Sequence, residues 1–384
     1  MGATLSKLWG TIKVALTGGG NPSGGKSNGV NANKDIDVEE GRLPTSNTAA
    51  KPPTPMPVMS FLKLEITEPW LRIHTALGEG PFWEEQTNTL RFLDIEKMYL
   101  HTVDLNVGPS SHKVVKEMDI SMGCTADIEG NDKEFIFGGK FGYGICNRET
   151  GAYRWIKKVW SEEEVKDGKP DRMRGNDGAV DSQGRFWVGY MNDPLVAKIT
   201  DEGAVFRLNP DLTLDRPLSQ IVIPNGTTWN KTDNKMFFAD SPSRTISQFD
   251  FDPATGAVTN RRPFFRIPDS YGENAVPDGH CIDEEGYMWT AVHGGGVVLK
   301  VSPDGELVGE IKVPTSQPTC PAFCGEDLVI TSAGGTSGEG GKPVDEFAGC
   351  VFKINVGVGG MKRFRFKGGE KIEGGKVDGK VVGE

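Results

Sequence analysis

Six times between residues 88 and 334 of this 384-residue chain the same pattern returns: a turn, then a short run of aromatic and aliphatic residues closing on small or acidic ones. The runs occupy residues 88–95, 131–140, 182–191, 232–241, 284–293 and 325–334. Anchored on Arg91, Phe135, Phe186, Met236, Tyr287 and Leu328, they step by 44, 51, 50, 51 and 41 residues. Behind each follows a second run and turn, as in residues 143–151, 204–212 and 297–305. Units of this length have room for about four short strands. The spacing therefore predicts an all-β chain, a six-bladed β-propeller with four-stranded antiparallel blades. An ordinary sandwich with accidental regularity does not explain two hallmarks recurring six times in one order. The 51 Gly and 24 Pro suit a chain that turns this often, and no long helical periodicity interrupts it. A propeller leaves no edge strand unpaired. Residues 70–75 are thus expected to complete the last blade beside residues 361–366.

Three segments follow from composition. Residues 1–58 read as a low-complexity, disordered N-terminal extension, 59–367 as the propeller domain and 368–384 as a solvated C-terminal tail. Gly2 with Ser6 fits a myristoylation pattern. Leu5, Leu8, Trp9, Ile12 and Leu16 behind it fall at helical spacing with Lys7 and Lys13. The leader is either a lipidated amphipathic anchor or an unmodified one, and contact with a membrane surface is expected only if Gly2 is lipidated. Met59 is a plausible alternative start. Residues 20–27 match a P-loop letter for letter, but residues 28–33 offer no helix to receive a phosphate. The GxSxG match at residues 25–29 likewise lacks the strand-to-helix turn of a serine esterase. A net charge of −10 argues against nucleic acid as a partner. No apolar run is long enough to span a bilayer. Six cysteines without a CxxC pair point to reduced, cytoplasmic thiols, and five histidines without ligand spacing argue against a His-based zinc site; for a closed ring a monomer is the expectation.

Before four of the anchors stands a polar residue followed by glycine: Glu79-Gly80, Asp177-Gly178, Asn225-Gly226 and Asp278-Gly279. They lie 12, 9, 11 and 9 residues ahead of their anchors; the other two repeats carry Gly123-Cys124 and Thr319-Cys320. Any one such pair is also an ordinary hairpin turn. Four in register mean more, because the innermost strands of a propeller line its axis and equivalent positions converge. Carboxylates crowded there repel one another unless a cation neutralises them. An all-oxygen donor set selects a hard divalent cation, Ca²⁺ first, with Mg²⁺ and Mn²⁺ behind it and Zn²⁺ less comfortable.

Several stretches carry a specific likeness. They are residues 77–85 running into 90–95, residues 174–178 with Asp181, residues 223–226 with Trp229, and residues 277–283 running to Trp289. They resemble the regucalcin/gluconolactonase family of six-bladed propellers, which includes sugar lactonases, over about residues 70 to 366. The resemblance implies one metal held by Glu79, Asn225 and Asp278, and a substrate wall of Arg174 and Asn176 with Asp177 beside the metal or its waters. It implies hydrolysis of a sugar lactone to its acid, with Asp278 as the acid/base and Glu79 or Asp177 as alternatives for that role. Arg174 could instead be a structural ion-pair partner between blades. His280 and His293 read as satisfied structural residues, Cys281 and Cys324 as buried thiols. Where some family members have a substrate-binding Glu, this chain has Pro194, with Asp193 next to it. Two rival readings are a non-catalytic calcium-binding regulator and an enzyme of the paraoxonase or strictosidine-synthase kind.

Overall fold

The runs that anchor the repeats are apolar without a break. In a sheet with one wet face they would alternate. The computed structural model, which describes residues 60–335, 345–368 and 372, shows the reason. Each run is the second strand of a blade, buried on both faces between two neighbours. Successive side chains of a strand point to opposite faces. Phe135 and Phe137 accordingly pack toward the first blade with Leu93 and Leu100, while Ile136 packs toward the third with Val188 and Phe206. Met236 and Phe238 join Trp187 and Trp229 on one side of the fourth blade, and Phe237 and Ala239 join Met288 and Val292 on the other. Leu328 and Ile330 face Trp289, and Val329 faces Leu90 and Phe92 of the first blade. Six blade-to-blade interfaces carry six hydrophobic clusters, and the ring is closed.

The first strands of the blades are Gly78–Glu84, Met122–Ile128, Met173–Val180, Pro224–Trp229, Val276–Ile282 and Pro318–Cys324. They pack side by side around the axis. Four sheets are four-stranded and antiparallel; the fifth blade gains Leu62–Glu65 as an outer parallel strand beside Leu307–Lys312. The last sheet contributes Pro318–Cys324, Asp327–Ser332 and Phe352–Asn355.

Ring closure departs from expectation in its partner. Leu71 exchanges both backbone hydrogen bonds with Val351, each 2.9 Å, and Thr75 N–H donates to the Gly349 carbonyl at 2.9 Å. Residues 70–75 do close the last blade, but against 349–351 and not 361–366. The latter are a strap across the opposite end of the ring. Met361 N–H donates to Ile282, Phe366 exchanges hydrogen bonds with Asp127 and Glu129, and Lys367 N–H donates to Gly184. The buried Phe366 ring fixes this strap in the core between the second and third blades, where Ile372 is buried too. The lipidation pattern, the P-loop-like stretch and the GxSxG match lie outside the described residues. No helix among the described residues is long and apolar enough to cross a membrane.

Two blades are pinned by the same device. Asp181 Oδ1 accepts the N–H groups of Gln183 and Arg185, and its Oδ2 accepts Arg185 Nε at 2.6 Å and Trp187 Nε1 at 2.9 Å. Asp283 does the same for Glu285, Tyr287 and Trp289 Nε1. Both tryptophans are wholly buried. Asp181→Ala strands a buried indole donor and a buried guanidinium at once. It is expected to cost about 3 kcal/mol of stability in urea unfolding, with little effect where the substituted aspartate is surface-exposed, as at Asp211.

Candidate active site at the axial mouth

All six inner strands break register with their neighbour at the same level. The shifts fall between Glu79 and Phe82, Met122 and Cys124, Gly175 and Gly178, Asn225 and Thr227, Pro277 and His280, and Pro318 and Pro321. A β-bulge bends its strand and re-aims a side chain that would otherwise follow the pleat. Here the bulges form a ring near one end of the axis, and they contain or adjoin the polar-glycine pairs read from the sequence. The glycines permit the close approach. A side chain at Gly123 would begin 2.2 Å from the Asn176 carbonyl oxygen, and one at Gly226, whose φ is +32°, 2.1 Å from His280 Nδ1.

Glu79, Asn225, Asp278, Arg174 and Asn176 are all buried. Asp278 and Glu79 raise one another's field. The Glu79 carboxyl is held well above the ordinary range by burial, then by Asp278 and Asp177, with the Gly80 N–H and Arg174 opposing. The Asp278 carboxyl is raised by burial and by Asp177, against the Gly279 N–H and Arg174. Asp177 is pushed up to about 6 by burial, with N–H groups of Gly178 and Gly226 and the charge of Arg363 pulling the other way. Three of the four residues singled out by register thus share one electrostatic environment. Asn225 is tied to it by hydrogen bonds. Its Oδ1 accepts Asn176 Nδ2 at 2.9 Å, and its own Nδ2 donates to Ser241 Oγ, which donates to the Pro277 carbonyl at 2.7 Å.

The Arg174 guanidinium donates through Nη1 to the Gly175 carbonyl and to Asn176 Oδ1 at 2.6 Å. It makes no ion pair among the described residues, so the reading of Arg174 as an inter-blade ion-pair partner does not hold. Asp193 and Glu96 are the carboxylates whose charge it feels most, followed by Glu79 and Asp278. Asp193 beside Pro194 is partly used up locally, since its Oδ1 accepts the Leu195 N–H at 3.1 Å.

Glu96 and Arg363 were not legible as site residues. Arg363, on the strap, reaches up to donate both Nη groups to the Pro81 carbonyl at 3.1 and 3.2 Å and lies 4.7 Å from the Phe82 ring. Its charge reaches Asp177. His280 is buried between blades, with neither ring nitrogen hydrogen-bonded among the described residues. Burial brings its pKa down to about 3, and that of His293 to about 4, so both rings are neutral near pH 7. Burial raises the Cys281 thiol and pushes Cys324 up to about 12, which leaves neither as a nucleophile.

The donor set fits a hard divalent cation. Buried carboxylates that repel one another, with an amide oxygen beside them, gain most from a bound cation when no sulfur or imidazole competes. Among the described residues no three His, Cys, Asp or Glu side chains are arranged to hold an ion by themselves.

Comparison with known proteins places the chain in a family. A family profile described as "SMP-30/Gluconolactonase/LRE-like region" matches residues 77–334. The chain is 31% identical over 296 residues to the pentonolactonase XacC of Haloferax volcanii, covering 75% of this chain and 94% of that one. It is 30% identical over 319 residues to regucalcin of Danio rerio, covering 81% of this chain and the whole of that one. Among solved structures, a luciferin-regenerating enzyme superposes with a TM-score of 0.66 at 27% identity, over 77% of this chain and 97% of that one.

Proposed function

Because the chain belongs to the SMP-30/Gluconolactonase/LRE-like family, we propose that it hydrolyses a sugar lactone to the open-chain acid at the axial mouth. The observation that carries this reading is the meeting of two mutually repelling buried carboxylates, Glu79 and Asp278, with Asn225 and the Arg174–Asn176 pair. Glu79, Asn225 and Asp278 would hold a divalent cation, with Ca²⁺ favoured by the oxygen donors. When bound, that cation supplies polarisation of the ester carbonyl and a lowered pKa for water.

The chain's own residues do the rest. Among the described residues Arg174 Nε and Nη2 have no partner, so they can donate to hydroxyls of the sugar or to the oxyanion that develops on the carbonyl oxygen. Asn176 is locked by Arg174 on one side and by Asn225 and the Pro224 carbonyl on the other, so it orients without moving. Asp278 takes the proton of the attacking water on a carboxylate oxygen and returns it to the ring oxygen as the ester C–O bond breaks. Asp177, partly exposed beside them and held near 6, is the alternative base.

The test is a substrate panel: glucono- and arabinono-lactone, aryl esters and organophosphates, each with Ca²⁺, Mg²⁺, Mn²⁺ or Zn²⁺. Turnover of an aldonolactone with at least one of these metals, well ahead of aryl esters, is the expected result. Faster aryl-ester turnover would favour paraoxonase-like chemistry. Calcium binding with no lactone opened by any metal would leave a binding protein and remove the enzyme reading.

A further inference from the structure

The turn after the second strand of the first blade is held rigidly at the mouth. Asp94 accepts N–H groups from Ala76, Leu77 and Lys97 at 2.8, 3.2 and 3.0 Å, and Gly78, next to Glu79, pairs with it across the strands. Lys97 turns outward to the His74 carbonyl. Glu96 sits between these fixed points, half-buried, with no hydrogen bond or ion pair to its carboxylate among the described residues. The opposite charge its carboxylate feels most is that of Arg174 of the third blade, for which the described residues provide no ion pair and whose hydrogen bonds there run through Nη1. The turn that Asp94 pins beside Glu79 thus carries an idle acceptor, within the field of the guanidinium donors of Arg174. That is the arrangement a vicinal diol satisfies, since each hydroxyl both donates and accepts.

We propose that Glu96 is a substrate-binding residue that, across the mouth from Arg174, accepts hydrogen bonds from sugar hydroxyls and so selects polyhydroxylated ligands. It takes the place left by Pro194, where Asp193 is occupied with its own turn. The identity of the ligand as a lactone rests on the function proposed above; the recognition of its hydroxyls does not.

The experiment compares wild type with Glu96→Gln and Glu96→Ala on glucono-1,5-lactone and on δ-valerolactone, which has the ring ester but no hydroxyls. For the alanine variant KM for gluconolactone is expected to rise about tenfold, with kcat within about twofold. The glutamine variant, which keeps one acceptor oxygen, should recover part of the loss. KM for δ-valerolactone and the melting temperature should stay unchanged. An unaltered KM for gluconolactone, or equal losses on both lactones, overturns the assignment. If wild type opens neither lactone, the hydrolase reading has failed and Glu96 is judged by calorimetric binding of sorbitol with Ca²⁺ present. Weaker binding by Glu96→Ala supports it; no wild-type binding, or equal binding, overturns it.

Discussion

Replacing Asp278 by alanine is expected to lower kcat/KM on the preferred lactone by at least about a thousandfold, equivalent to about 4 kcal/mol of transition-state stabilisation. In the proposed function two losses coincide in this variant, a cation ligand and the proton acceptor. The same substitution should make the metal-free protein more stable, not less. Asp278 is buried beside Glu79 and Asp177, and its carboxyl is raised by burial and by the Asp177 charge. Removing it relieves that repulsion, and the Glu79 carboxyl should fall toward its ordinary range because Asp278 is its largest charged perturber. Asp278→Asn separates the roles, since it keeps an oxygen ligand and cannot accept a proton. It should retain part of the calcium response and almost none of the activity. Activity retained by Asp278→Ala would sink the site assignment. A metal-free protein destabilised by the change would show that Asp278 is a structural carboxylate.

Removing the cation should produce the second large effect, and its size should depend on pH. In the metal-free protein Asp177 keeps its proton up to about pH 6, and Glu79 and Asp278 keep theirs well above the usual carboxylate range. In the unfolded chain all three release theirs near about pH 4. The folded state therefore binds more protons across that window, so this contribution is greatest on the acid side and stability falls as pH rises through the folded values. Calcium bound as proposed would take the place of those protons. The calcium-induced stabilisation, read as a rise in melting temperature, is expected to be small near about pH 5 and to grow toward about pH 7.5, where a calcium concentration a hundred times the dissociation constant contributes about 2.7 kcal/mol. Buried His101 and His280 and half-buried His293 act in the opposite direction. Their pKa values are depressed to about 3, 3 and 4, so their contribution is present above about pH 6.5 and lost on acidification. The difference between scans with calcium and with EDTA cancels the histidines and isolates the carboxylates. A calcium shift that is flat with pH, or that survives intact in Asp278→Ala, would place the cation elsewhere.

The blades were legible because a propeller writes its geometry into sequence twice. Each second strand is buried on both faces, so Phe135–Phe137, Met236–Phe238 and Leu328–Ile330 show as unbroken apolar runs at a near-constant step. Each inner strand reaches the axis at the same depth, so residues nearly 200 positions apart, Glu79 and Asp278, could be brought together by register alone. Closure was half legible: residues 70–75 had to pair with something, but nothing in 361–366 distinguishes a strand from the strap it is. A strap held by scattered backbone hydrogen bonds and one buried ring has no periodicity to read.

From the sequence alone, then, came the ring of six blades and the four polar positions that face its axis, because strand alternation and repeat spacing are local properties that symmetry converts into place. Only the tertiary structure decided how those positions feel one another. It put a bulge in every inner strand at one level, joined Asn225 to Arg174 through Asn176, and brought Arg363 up beneath Asp177. It also brought Glu96, an ordinary turn glutamate by composition, into the field of the buried Arg174. Field and burial depend on what lies across the channel, and in a closed ring that neighbour is always far away in the chain.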